Sequence, residues 1–185
     1  MKYSIRIADK KDARAIHDIY DYYVKNTFVT FTIDNPSVEE YAKDIEETKN
    51  KYPYLVAVDE HEKILGYVCG HEFRPHDAYR WCVESSLYLD ANAPKRSGIG
   101  SALYKEFIDI LGKQGYLFVY GVITDINDVS ISLHEKLGFK KVGELKNCGY
   151  KNNTWLGIVY YVLQIGDLNK ANEPIGFNKM MQEKR

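Results

Sequence analysis

The sequence predicts a mixed α/β fold, a mixed central sheet with helices on its faces, and three observations predict it. Segments with the character of strands, such as Leu55–Val58, Ile64–Gly70 and Phe118–Ile123, are interleaved with segments whose apolar residues recur every three or four positions. Cap and turn residues mark the boundaries between the two kinds. A glycine-bearing loop, Lys95-Arg96-Ser97-Gly98-Ile99-Gly100-Ser101, lies between a strand-like run and a helix-like run.

Taken in order, Ser4–Ala8 alternates and reads as the first strand. Asp9 or Asp12 caps a helix running to about Lys25, with Ala13, Ile16, Ile19 and Tyr20 facing inward. A mixed loop, Asn26–Pro36, carries Phe28 and Phe31. Ser37-Val38-Glu39-Glu40 then matches a capping box and opens a second helix. Leu55–Val58 and Ile64–Gly70 form a hairpin whose turn is Asp59–Lys63. Val83–Leu89 is extended, and Ser101–Leu111 puts Leu103, Phe107, Ile110 and Leu111 on a helical face. Phe118–Ile123 has the pattern of a buried strand, and Val129–Leu137 is a short helix ending at Gly138. Phe139–Val142 and Ile158–Leu163 read as two closing strands. The order β-α-α-β-β-β-α-β-α-β-β makes residues 1–167 a single domain, with 168–185 a polar tail that either packs on the body or is mobile.

Composition excludes several functions. Hydrophobic residues at 45% and charged residues at 28% are the balance of a globular chain and not of a disordered one. A net charge of −1, with no basic stripe, supplies no field for nucleic acid, and equally no strong acidic pocket for a polyamine. Cys69, Cys82 and Cys148 have neither metal-ligand nor disulfide-framework spacing, which points to no metal and to a reducing cytoplasm. The N-terminus has no apolar signal core, and no apolar run approaches the ~18–20 residues of a membrane span. Sixteen tyrosines suit a polar small-molecule pocket or ordinary packing.

Two features carry chemistry. Glycines at a strand-to-helix junction let backbone N–H groups turn inward beside the positive end of a helix, which favours phosphate; Lys95 and Arg96 add charge at the entrance. Glu84 stands inside an apolar strand run. An unpaired carboxylate there is costly, so it faces a cleft or a partner, and desolvation would raise its pKa and make it a better base.

The stretch Tyr79-Arg80-Trp81-Cys82-Val83-Glu84-Ser85-Ser86-Leu87-Tyr88-Leu89 followed by the glycine loop resembles the GCN5-related N-acetyltransferase (GNAT) family. Asn127-Asp128-Val129-Ser130-Ile131-Ser132-Leu133-His134-Glu135-Lys136-Leu137-Gly138-Phe139 is a second matching signature, with Tyr52–Ala57 and Phe73-Arg74-Pro75 between. Within that family the chain is similar to the phosphinothricin and methionine-sulfoximine acetyltransferases, from Ile5 to about Leu163. Two departures stand out. Lys95 occupies the position where the family loop has Gln or Arg, and one extra residue separates Leu89 from the loop.

The resemblance implies splayed strands forming an acetyl-CoA cleft. The pyrophosphate would sit on Lys95, Arg96, Ser97, Gly98, Ile99, Gly100 and Ser101, and the pantetheine arm would pair with the backbone of Ser86, Leu87, Tyr88 and Leu89. Asn127 and Ser130 would hydrogen-bond the same arm. Glu84 would be the general base, and His134 either a second proton-handling group or a structural one. Arg74 would bind the acceptor's carboxylate, with Arg80, beside Tyr79, either assisting it or standing as a solvated charge on a loop. Phe28 and Phe31 would wall the pocket or serve the core. Tyr161 is one of many hydroxyls that could protonate the departing thiolate. The acceptor would be the α-amine of a small amino-acid-like molecule, and the protein a homodimer that binds neither nucleic acid nor membrane. Acetylation of another amine, or non-catalytic binding of acyl-CoA, are the alternatives.

Overall fold

Among residues 2–183, which the computed structural model describes, seven strands form one sheet. They are β1 (Tyr3–Ile7), β2 (Tyr54–Asp59), β3 (Ile64–Glu72), β4 (Cys82–Leu89), β5 (Phe118–Thr124), β6 (Lys140–Lys151) and β7 (Thr154–Gln164), in the order β1-β2-β3-β4-β5-β7-β6. Neighbours are antiparallel except β4 and β5, which run parallel. The helices are α1 (Ala13–Asn26), α2 (Val38–Lys51), α3 (Ile99–Gln114), α4 (Asp128–Lys136) and α5 (Phe177–Glu183). The mixed sheet flanked by helices is the fold class expected from the sequence.

Local chemistry explains most boundaries. Asp9 and Asp12 share the first cap: Asp9 accepts from the Lys11 amide at 3.1 Å, opening a 3-10 turn, and Asp12 accepts from the Asp9 amide at 2.8 Å. The Arg6 fork holds Asp12 at 2.7 and 3.0 Å and keeps its carboxyl below the usual range despite burial. Ser37 and Glu40 make the capping box of α2, Glu40 N donating to Ser37 Oγ at 3.2 Å and Ser37 N to the Glu40 carboxylate at 2.7 Å. Gly138, at φ 91°, closes α4.

The sheet carries a core on each face. Leu55, Ala57, Leu65, Val68 and Val83 pack with Leu103, Phe107 and Leu111 of α3. Tyr54, Val56, Val58, Tyr67 and Cys69 pack on the other face with Ile16 and Ile19 of α1 and Ile45 of α2. β2 is buried on both sides, so its sequence is a continuous apolar run. Each fully buried large side chain contributes about 1.5–3 kcal/mol through burial.

Two regions differ from the sequence expectation. The closing strands are longer than Phe139–Val142 and Ile158–Leu163, because β6 is largely solvent-exposed and lacks apolar alternation. Asn152 and Asn153 turn the hairpin with φ of 46° and 60°, the positive pair that tight hairpins favour. The hairpin reaches the loop after α1: the buried Lys151 ammonium donates to Thr30 O at 2.9 Å, and the Phe31 ring lies against Gly149. From Leu168 to Glu183 the segment read as a tail packs on the body, and its residues 184–185 lie outside the described residues. Gln114 Nε2 donates to Lys51 O at 2.8 Å and to Ile175 O at 2.7 Å, the Ile175 amide donates to Gln114 O at 2.8 Å, and α5 docks on α2.

Phe177 is 1% exposed. Phe177→Ala is expected to lower unfolding free energy by about 3 kcal/mol in urea titration. Leu168→Ala, at an exposed position in the same segment, should stay within about 0.5 kcal/mol.

Candidate active site

β4 and β5 pair only from Cys82↔Phe118 to Glu84↔Tyr120 and then separate. Beyond that point β4 stays on β3 as far as Leu89, and β5 stays on β7 as far as Thr124. The edge of Ser86, Leu87, Tyr88 and Leu89 that faces β5 therefore has no strand partner. Backbone groups there need one once water is excluded, so the gap suits an extended ligand bearing amides.

The glycine loop stands at the far end of this gap. Gly98 is the N-cap of α3 with φ 82°, and no side chain caps the helix, so its first N–H groups remain available. Arg96 is also left-handed, at φ 59°. Lys95 and Arg96 are exposed and make no ion pair among the described residues, while Ser97 and Ser101 are half-buried. Ile99 and Gly100 are buried, Gly100 against Leu87, Leu89 and Leu133. The helix begins at Ile99, two residues ahead of the expected Ser101, because Gly98 itself makes the turn. A tight turn precedes the loop, with the Ala93 amide donating to Asp90 O at 2.8 Å and Lys63 pairing with Asp90 at 2.8 Å. These donors and cations fit a pyrophosphate.

α4 forms the opposite wall. Asn127 caps it, Oδ1 accepting from the Ser130 amide at 3.2 Å, and its Nδ2 has no partner among the described residues. Ser130 lines the gap beside Asn127. His134 is 5% exposed, and both its nitrogens are engaged. Nδ1 lies 2.8 Å from Ser130 O, and Nε2 lies 2.8 Å from the Tyr104 hydroxyl. Tyr104 in turn is 2.5 Å from Ser85 Oγ, which is 2.9 Å from Tyr120 O. Burial lowers the His134 pKa, partly opposed by the Ser130 carbonyl. His134 thus has no free nitrogen aimed at an acceptor, and any proton it handles passes through Tyr104. Ser85 and Tyr104 are the site residues that the sequence did not single out.

Glu84 is half-buried at the point where the strands part. Desolvation raises its pKa above the ordinary carboxylate value, and the Arg74 charge partly opposes that shift. Arg74 is exposed, with its guanidinium 4.9 Å over the Phe73 ring and Nη2 donating to Tyr160 Oη at 3.4 Å. Phe73 stacks on Tyr120 at 3.9 Å, which ties the Arg74 loop to the residue opposite Glu84. Tyr79 lies edge-on to Phe73 at 5.8 Å.

Arg80 goes elsewhere. Its Nη1 bonds both Glu173 oxygens at 3.1 Å and its Nε bonds Asp77 O at 2.8 Å, so it clasps the C-terminal segment and is not a partner for Arg74. Phe28 is half-buried, and Phe31 packs on Gly149. The Tyr161 hydroxyl is committed to the Glu135 carboxylate at 2.9 Å. The Tyr88 ring belongs to the tyrosine layer with Tyr20 and Tyr67, on the opposite face from α3, so only its backbone faces the gap.

A Cβ at Gly121 would press on the Nε2–Cδ2 edge of the His134 ring, well inside van der Waals contact. Gly121→Ala is expected to cost about 1–3 kcal/mol of stability and to disturb the His134 ring signals in an NMR spectrum. An unchanged spectrum and unchanged stability would refute the packing described.

The acetyltransferase (GNAT) domain family matches residues 5–159. The phosphinothricin N-acetyltransferase of Streptomyces viridochromogenes is 33% identical over 157 residues, covering 85% of each chain. The L-methionine sulfoximine/L-methionine sulfone acetyltransferase of Salmonella typhimurium is 31% identical, over 89% of this chain and 95% of that one. The crystal structure of a GNAT superfamily phosphinothricin acetyltransferase from Sinorhizobium meliloti in complex with acetyl-CoA superposes with a TM-score of 0.87 at 35% identity, covering 94% of each chain. The split sheet, the helix-capping glycine loop and this similarity agree: the chain belongs to the GNAT family of acetyltransferases.

Proposed function

We propose that the protein moves the acetyl group of acetyl-CoA to the α-amine of a small amino-acid-like acceptor by direct transfer in a ternary complex. Phosphinothricin, methionine sulfoximine and methionine sulfone, the acceptors named for its relatives, are the compounds to try first. The observation that carries this reading is the position of Glu84, the last β4 residue paired with β5, at the apex of the cleft. A base placed there meets both the cleft and the residues on the other face of β4.

Acetyl-CoA supplies an activated acyl thioester when bound. The α3 amides, Lys95 and Arg96 would hold its phosphates, and the free edge of β4 with Asn127 and Ser130 would hold its arm. Glu84, directly or through a water, takes the proton from the acceptor ammonium and frees the lone pair for attack. Arg74 offers a two-pronged donor for the acceptor's carboxylate. As the new C–N bond forms and the C–S bond breaks, the Tyr104 hydroxyl, which lines the gap, would protonate the departing CoA thiolate, and His134 and Ser85 hold it there. With the ring neutral and Nδ1 protonated, Ser85 has one proton for two acceptors, the Tyr104 and Tyr120 oxygens. One added proton on Nε2 lets every contact in the chain be made at once, so the network can hold and pass a proton without moving a heavy atom.

The same reading includes a homodimer. Val142, Leu145, Tyr150 and Trp155 are exposed on the β6–β7 hairpin and offer an apolar surface to a second copy.

Glu84→Gln should lower kcat by about 10²–10⁴-fold while calorimetry still detects CoA binding; a variant of undiminished turnover would overturn the role of Glu84. The base works only when ionised, so turnover rises as pH climbs through its raised pKa. Arg74 holds that pKa down, so Arg74→Gln should move the acid limb of the kcat/KM profile to higher pH. A limb that stays in place or moves to lower pH would refute this electrostatic link.

A further inference from the structure

A second cavity, of about 410 Å³, lies on the other side of β4 from the α3 network, between the sheet and α2. Its floor is tyrosine. The Tyr54 and Tyr67 rings stack at 5.9 Å between centroids, and Tyr67 meets Tyr88 at 5.7 Å. Tyr67 is 3% exposed, yet its hydroxyl has no hydrogen-bond partner among the described residues. Tyr67 lines the cavity, and its hydroxyl is not sealed from solvent.

The rim is acidic. Asp34, Glu40 and Asp44 are exposed where the cavity opens, and none makes an ion pair among the described residues. Glu40 is occupied by the Ser37 cap, whereas the Asp44 carboxylate accepts only a long bond from Thr48 Oγ1, at 3.4 Å. No lysine or arginine lines the space. Its one basic side chain is His71, whose Nε2 is 3.4 Å from Cys69 Sγ and which burial keeps toward the neutral form. The chain's net charge of −1 conceals this local excess of negative charge.

The cavity adjoins the proposed base. His71, on its wall, is directly opposite Glu84 in the β3–β4 register. Ser86, also on its wall, is the next residue of β4 on the Glu84 face, about 7 Å along the strand. An acceptor amine beside Glu84 can therefore extend its far end into the cavity. Aromatic faces, an unsatisfied hydroxyl and unpaired carboxylates together recognise a cation that donates hydrogen bonds. They disfavour an anionic tail, so of the three acceptors named above phosphinothricin, with its phosphinate, is the poorest match to this cavity.

We infer that this cavity binds a second ammonium group of the acceptor, and that the preferred acceptors are diamines or diamino acids. The inference rests on the acetyl-transfer reading for the chemistry at Glu84, but the cavity can be probed by itself. Two measurements on the whole protein separate the two. In calorimetric titration without acetyl-CoA, L-ornithine and 1,4-diaminobutane should bind, L-norvaline should bind more weakly, and Asp34→Asn/Asp44→Asn should weaken diamine binding about tenfold. In acetyl transfer, the kcat/KM preference for L-ornithine over L-norvaline should fall by a similar factor in that variant and, to a smaller degree, in Tyr67→Phe.

Diamines that bind as expected, with no amine acetylated, would refute the transfer reading and leave the cavity assignment standing. Methionine sulfoximine acetylated, with diamines neither bound nor preferred, would overturn the cavity assignment alone. Diamine binding that is indifferent to the Asp34 and Asp44 substitutions would also overturn it.

Discussion

The parting of β4 from β5 after Glu84 is the constraint on which the site depends. β4 is anchored to β3 and β5 to β7, each pair running well past the point where the two strands separate. The wedge between them is polar and filled in a particular way. His134 reaches against β5 where Gly121 has no side chain, and its Nε2 meets the Tyr104 hydroxyl from α3. Ser85 and the Tyr120 carbonyl complete the chain from the β side. Side-chain hydrogen bonds thus replace the backbone ladder just beyond its last rung. They satisfy buried groups that an apolar filling would leave unpaired, and they keep the rest of the β4 edge open.

Much of this architecture was legible in the sequence because its determinants are local. The Ser37–Glu40 box, the Asp59–Lys63 turn and Gly138 each fix their own element through bonds within a few residues. The place of the glycine loop at the start of α3 is legible for the same reason, as is the family resemblance. The roles of Ser85 and Tyr104 were not. A serine in a strand and a tyrosine on an apolar helix face carry no distinguishing pattern, and only the meeting of β4, α3 and α4 makes them partners. The sequence pattern understates β6 because its exposed residues do not alternate, although the Asn152-Asn153 pair is a turn signal. Arg80 lies within a matching motif, yet it is claimed by Glu173, some ninety residues away in the polar C-terminal segment.

Alternation along β4 divides the work between two faces. Val83, Ser85, Leu87 and Leu89 look toward α3, where packing and the His134 network set the shape of the cleft. Glu84, Ser86 and Tyr88 look toward α1 and α2, where tyrosines and carboxylates line the second cavity. In the proposed reaction the backbone of one strand serves the acyl donor while its alternate side chains serve the acceptor. A change on either face can then alter one partner with little effect on the other.

Charges of both signs stand around Glu84. Arg74 overlies the apex from one side, carried on Phe73 and Tyr120. Asp34 and Asp44 lie on the other side, beyond His71 and Ser86. An acceptor with a carboxylate near its reactive amine and a cation at its far end would match that gradient end to end. Reversing it would place a carboxylate among carboxylates and a cation against a guanidinium. In the proposed complex each mismatch would raise the cost of binding, so the arrangement would select orientation as well as identity. In the proposed complex a distant ammonium would lie away from Glu84, whose pKa is raised by desolvation, and the proton taken there would come from the amine at the apex.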